Sequence, residues 1–209
     1  MNCAVKKLLK TKPFSLPSVT SFFFIFSCSL FFLPAAQADA GQKSSSAFRQ
    51  APLPYQLVIV RHANRKDHNA HSALSKKGLK RANSLNTLLK EWQVEHVHST
   101  CTIRSLQTGA PTAHAQDLRI KRYNNLRHVT NKVHQAGGKH LIVGHSNTVN
   151  PIVEAFGGKP GDELGENEYN RLYVLTRSCD GKTQTQQFRY PDQGKAIKKS
   201  LQHKIPSCN

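Results

Sequence analysis

Two short apolar runs, each ending in a histidine, constrain this chain more than any other feature of it. Leu57-Val58-Ile59-Val60 leads into Arg61-His62, and Leu141-Ile142-Val143 leads into Gly144-His145. An apolar run without polar alternation suits a strand covered on both faces, the situation of parallel strands in α/β proteins. Open α/β sheets bind ligands beyond the carboxyl ends of their strands. A histidine launched from each of two such strands marks where a catalytic site would assemble.

The surrounding pattern alternates helices with strands. Ser75 is placed to cap a helix carrying Leu79, Ala82, Leu85, Leu89 and Trp92 on one face. A short strand over Val94 to His98 precedes a helix over Thr102 to Gln116 that Pro111 should kink or interrupt. Leu118 to Tyr123 reads as an edge strand, and Leu126, Val129, Val133 and Ala136 have helical spacing up to a stop at Gly137-Gly138. Val149 to Phe156 continues as a helix after a Ser-Asn-Thr turn. Beyond Gly157-Gly158 two strands, Arg171 to Thr176 and Thr183 to Tyr190, are joined through Asp180-Gly181. This order predicts an α/β fold, a three-layer α/β/α sandwich whose central sheet is mostly parallel and ends in a C-terminal antiparallel hairpin.

The ends read differently. Lys6, Lys7, Lys10 and Lys12 precede an apolar stretch from about Phe22 to Leu33 that closes on Ala36-Gln37-Ala38, the layout of a secretory signal peptide over residues 1–38. The apolar stretch falls short of the roughly 20 residues that span a bilayer. Cleavage near Ala38 predicts a periplasmic or secreted protein. Residues 39–54 read as a flexible linker, 55–192 as one domain, and 193–209 as a basic tail, a short helix or disordered.

The leader holds four of the 30 Lys and Arg and none of the 12 acids, which leaves about +14 on residues 39–209. Such a surface favours anionic partners, lipopolysaccharide-type phosphates and acidic membranes among them. No basic motif interleaved with aromatics appears, so no nucleic acid is expected. Three cysteines remain after cleavage in an oxidising compartment, and Cys179 and Cys208 are paired here because both lie in the C-terminal segment while Cys101 sits near the proposed site. The eleven histidines show no metal-ligand spacing and are expected mostly at the surface.

A third segment joins the two histidines. Ser99-Thr100-Cys101-Thr102-Ile103-Arg104-Ser105-Leu106-Gln107-Thr108 places Arg104 just after a strand, on the first turn of a helix. With Arg61-His62-Ala63 before it and Gly144-His145 after it, the chain resembles the histidine phosphatase (phosphoglycerate mutase-like) superfamily. Leu74-Ser75, Gly78 and Arg81-Ala82 add to the likeness, which runs from about Gln56 to Tyr190, and Gly144-His145-Ser146-Asn147-Thr148 resembles a short exported bacterial branch.

The resemblance implies a phosphatase that forms a phosphohistidine on His62 and needs no metal or organic cofactor. The residues support that chemistry on their own terms. A phosphate monoester is doubly negative and repels nucleophiles, so a site must cancel charge and hold phosphorus in line. Arg61 and Arg104 offer permanent charge and planar donor forks, and His145 a further donor. Two nearby guanidinium groups should keep His62 neutral and nucleophilic. Asn64, Ser146 and the amides opening the following helix are expected to extend the phosphate pocket, whereas Gln107 and Thr108 are expected to pack or fix the helix.

One part of the pattern is missing. Alkyl phosphoesters need a proton on the leaving oxygen, and mutase-type relatives carry a Glu between the second Arg and the second His, where this chain has only Asp117. Asn64 also replaces a Glu common after Arg-His-Ala. Candidate acids are Asp67, Asp162 and Glu163, and His68 or His71 could also serve. Without an acid the site would favour imidazole, acyl or pyrophosphate leaving groups. The roughly 40 residues between Arg104 and His145 leave no room for a lid domain. A phosphorylated small molecule or an envelope sugar phosphate is the expected partner, and a noncatalytic anion-binding protein of the cell envelope is the alternative. Oligomeric state is not legible.

Overall fold

The computed structural model describes residues 53–205 and Cys208; the leader and nearly all of the linker lie outside them. Twelve elements follow the expected order. They are β1 (Tyr55–Arg61), α1 (Lys76–Leu89), a 3-10 turn (Lys90–Trp92), β2 (His96–Ser99), α2 (Ile103–Ala115), β3 (Ile120–Arg122), α3 (Leu126–Ala136), β4 (Gly138–Gly144), α4 (Ser146–Ala155), β5 (Arg171–Arg177), β6 (Thr183–Arg189) and α5 (Gly194–Leu201). The sheet runs β3-β2-β4-β1-β5-β6. The first four strands in this order are parallel, and β5 and β6 add antiparallel.

The continuous apolar run of β1 is explained by its two covered faces. Val58 and Val60 join Leu85, Leu89 and Ile197 in one core, while Leu57 and Ile59 join Val129, Val133, Val149 and Ile152 in the other. Helices α1 and α5 therefore cover one face, and α3 and α4 the other. A buried aliphatic side chain contributes about 1.5–3 kcal/mol over an exposed one, so these two clusters hold the layers together.

Several expectations are corrected. In α1, capped by Ser75 through the Gly78 amide, Leu79 is 47% exposed and Leu88 is buried instead. Gly78 takes the inward position because a Cβ there would sit 2.1 Å from the Asn64 carbonyl oxygen, and Leu79 lies a hundred degrees round the helix from it. Trp92 belongs to the 3-10 turn rather than to α1. Helix α2 runs through Pro111 to Ala115, held by Thr108, Gly109, Thr112 and Ala113 buried along it. Helix α4 begins at Ser146, so the expected turn is its first turn. The segment after residue 192 is not an appendage: α5 buries Ile197 and Leu201, and the Cys179–Cys208 disulfide ties the chain's end to the hairpin turn.

The histidines are not all superficial. His98 is 1% exposed and His140 fully buried, on the face of the sheet beneath α3. His140 Nε2 donates to the Gly137 carbonyl at 2.6 Å, so its Nδ1 accepts from His98 Nε2 at 3.0 Å. This leaves His98 Nδ1 as a buried lone pair without a partner, which is tolerable only while the ring is neutral. Burial, followed by neighbouring histidines and by Lys121, pushes His98 down to about 2, and burial pushes His140 down to about 3.

A base whose folded pKa is depressed stabilises the fold fully above its unfolded value, here 6.5, and loses that contribution as pH falls towards the folded value. Below pH 6.5 each such histidine should cost about 1.4 kcal/mol per pH unit. Urea unfolding of His98→Gln between pH 7 and 4 should therefore give a shallower loss of stability than the unsubstituted protein, by about that slope. Parallel curves would contradict the neutral pair.

Candidate active site

The parallel pairing of β1 and β4 creates the site. Arg61 pairs with Gly144, and the ladder continues one step further through His62 N–H to the Gly144 carbonyl at 2.9 Å. The two strand-end histidines are thereby brought side by side, with ring centroids 5.3 Å apart at 66°. Arg104, on the first turn of α2, reaches across and donates from Nε to His62 Nε2 at 3.2 Å.

That contact fixes the tautomer of His62. A guanidinium Nε can only donate, so His62 Nε2 carries a lone pair and Nδ1 carries the proton, donated to the Ala63 carbonyl at 2.9 Å. Burial, then His145, Arg104 and Arg61, push His62 down to about 3, against the opposing pull of the Ala63 carbonyl. The neutral state is thus a consequence of desolvation first, with the guanidinium groups secondary, a reversal of the weighting the sequence suggested. His145 is lowered to about 4 by burial, Arg104 and Arg61, and its Nε2 lies 2.9 Å from Thr100 Oγ1.

Arg61 is 3% exposed and held by the loop before β5. Its Nη1 donates to the carbonyls of Gly165, Glu166 and Glu168 at 3.0, 2.7 and 3.0 Å. The guanidinium stacks 4.2 Å over the Tyr169 ring, which is itself 5.9 Å from His62. Arg61 Nε is buried with no protein partner. The loop is anchored in turn by Arg171, whose Nε and Nη2 grip both Glu168 carboxylate oxygens at 2.7 Å. Arg104 is positioned by its Nη1 bond to the Ala70 carbonyl at 2.7 Å.

Thr108 and Gln107, expected to pack or fix their own helix, also hold the loop that follows β1. Thr108 Oγ1 accepts from Ala63 N–H and donates to the Arg104 carbonyl, while Gln107 Oε1 accepts from Leu74 N–H. Asn64 lies beside His62, but its Oδ1 is taken by Arg81 Nε at 3.0 Å. Ser146 is the first residue of α4, immediately after His145.

The carboxylates are less concentrated. Asp67 is exposed and accepts from Asn69 N–H in a turn, and this bond together with one involving Ser72 holds its pKa below the ordinary value, the wrong direction for a general acid. Asp117 lies past the C-terminal end of α2, about 20 Å along the helix from Arg104. Asp162 and Glu163 direct their backbone carbonyls to Arg171. One carboxylate absent from the sequence reading stands beside a further guanidinium: Glu166 Oε1 lies 3.8 Å from Arg65 Nη2 and 3.9 Å from His68 Nδ1. Tyr169, Thr100 and Arg65 were missed as well.

Among the described residues no group of three or more His, Cys, Asp or Glu could hold a metal ion, and no helix is long and apolar enough to cross a membrane. A cavity lined by Trp92, Lys139 and Lys198 lies at the amino ends of the strands. What distinguishes the histidine site is convergent positive charge.

No protein-family model matches the sequence, and no curated protein is similar to it. Solved structures share its fold. Protein histidine phosphatase SixA, complexed with tungstate, matches with a TM-score of 0.52 at 16% identity, over 64% of this chain and 96% of that one. The mycobacterial glucosyl-3-phosphoglycerate phosphatase matches at 0.55 and 11% identity, over 65% and 99%. A candidate phosphohistidine phosphatase SixA from Agrobacterium tumefaciens matches at 0.52 and 16% identity, over 66% and 99%. These neighbours are histidine phosphatase superfamily members, and the fold of this chain is phosphoglycerate mutase-like.

Gly78 offers a direct check on how the nucleophile's loop is held. Gly78→Ala would drive a methyl into the Asn64 carbonyl, two residues from His62, and should cost about 2 kcal/mol in urea unfolding. A neutral result would show that this loop yields freely.

Proposed function

We propose that this chain is an exported phosphatase that hydrolyses phosphomonoesters through a phosphohistidine on His62, without a metal ion. The observation that carries this reading is the neutral His62, its Nε2 lone pair presented to the Arg104 guanidinium. An incoming phosphoryl group takes the place of that lone-pair contact, drawing Arg104 onto its oxygens. Arg61 contributes its unpartnered Nε, and His145 and the first amides of α4 complete the cradle. The Nε2 lone pair then bonds to phosphorus as the ester P–O bond breaks, and the leaving oxygen takes its proton from solvent water. Water attacks the phosphohistidine and releases orthophosphate.

Among the described residues the side chains of His62 and His145 have Ala63, Arg104 and Thr100 as hydrogen-bond partners, none of them through a carboxylate. Aryl phosphates, whose leaving groups need little protonation, should therefore react faster than alkyl phosphates. Of the candidate acids Asp67 is the weakest, because its turn bonds favour the ionised form, which leaves Asp162 and Glu163. Export and the surplus of cations suit an envelope sugar phosphate, with the basic surface resting on an acidic membrane. The same lack of a bonded acid favours the second reading, a noncatalytic phosphate-binding protein of the envelope.

Assays with para-nitrophenyl phosphate and an alkyl sugar phosphate, in the presence of a chelator, separate these readings. The aryl ester should be hydrolysed faster, His62→Ala should abolish turnover, and Arg104→Ala should lower it at least a hundredfold. Phosphate binding without turnover of either ester would support the noncatalytic reading.

A further inference from the structure

We propose that the site contains a second anion subsite centred on Arg65, covered in the free protein by the Glu166 carboxylate, and that its substrates carry a second anionic group beside the scissile phosphate. The substrate class rests on the phosphatase reading above; the subsite itself rests on geometry.

Arg65 follows His62 by three residues and its side chain is only 22% exposed. Its backbone is fixed by an antiparallel bridge to Leu74 and by the neighbouring Lys66 N–H bond to the Ala73 carbonyl at 2.9 Å. The turn beyond it is closed by bonds among Asp67, Asn69 and Ser72, and the same turn presents the Ala70 carbonyl to Arg104. Arg65 is thus built onto the wall of the site.

Its charge is felt there. Arg65 lowers the proton affinity of both Arg61 and Arg104, so its guanidinium belongs to the same cluster of cations, one step out from His62, on which Arg61 and Arg104 act directly. A phosphomonoester dianion answers two of them. The third is left to Glu166, and that pairing is a weak one. Glu166 Oε1 stands 3.8 Å from Arg65 Nη2, beyond hydrogen-bond distance, on a side chain that is 72% exposed. The backbone carbonyl of Glu166 remains on Arg61 at 2.7 Å, so the carboxylate can turn away without disturbing the clamp. His68 Nδ1, which accepts from Arg65 Nη2 at 2.8 Å, holds the guanidinium in place meanwhile. A ligand's second anion would take Glu166's position with closer contacts.

Inorganic pyrophosphate and orthophosphate are the probes, titrated calorimetrically into the purified protein without metal. Pyrophosphate should bind at least tenfold more tightly than orthophosphate. Arg65→Gln should bring that ratio close to one, Arg65→Lys should keep most of it by retaining the charge, and Glu166→Gln should raise it. Equal affinities in the unsubstituted protein, or a ratio indifferent to Arg65→Gln while Arg65→Gln melts normally, would overturn the subsite. Turnover of para-nitrophenyl phosphate on the same preparations separates the two proposals. Turnover with a ratio near one keeps the phosphatase and removes the subsite, whereas an Arg65-dependent ratio without turnover keeps the subsite and removes the substrate claim.

Discussion

The parallel pairing of β1 with β4 is the constraint on which the rest of the molecule depends. Its register ends at Arg61 and Gly144, and the next residue on each strand is a histidine. Both strands are buried, so the two imidazoles emerge where solvent is already largely excluded. Desolvation then determines their charge state, keeping His62 near 3 and His145 near 4. Neutral histidines thus stand beside permanent cations.

Gathering like charges opposes burial, and the supporting contacts offset that. Arg61 is gripped by three carbonyls and an aromatic ring, and the loop supplying them is fastened by the Arg171 and Glu168 pair, whose side chains are 6% and 17% exposed. Breaking such a pair is strongly destabilising, which makes the loop a rigid buttress for the guanidinium. Thr108 joins the loop of His62 to the helix of Arg104. The guanidinium groups are therefore preorganised, which is the condition the proposed phosphoryl transfer would need for electrostatic stabilisation.

The sequence made the centre of this site legible and its surroundings less so. His62, His145 and Arg104 were readable because each sits at the boundary of an element whose pattern is strong: an apolar run without alternation, or a strand-to-helix junction. Ser75 was readable as a cap for the same reason. Tyr169, Glu166 and Glu168 were not, since residues 157–170 lack any period and hold Arg61 partly through the carbonyls of Gly165, Glu166 and Glu168, which residue type does not encode. Leu79 was misplaced because a glycine, chosen for its missing Cβ, took the inward position. The absence of ligand spacing suggests surface positions for most histidines, and His98 and His140 depart from that; the better signal is their place on strands, His98 two residues from His96 and His140 opening an apolar run. Pro111 was given too much weight against the packing of α2.

The central claim is covalent chemistry at one nitrogen, and trapping it is the most direct measurement. The protein should be mixed with a phosphomonoester, quenched in alkali within the first turnovers, and mapped by mass spectrometry. An alkali-stable, acid-labile phosphoryl group on the His62 peptide, absent from His62→Ala, is the predicted result. Turnover that leaves His62 unmodified, or a phosphoryl group carried on another residue, would contradict it.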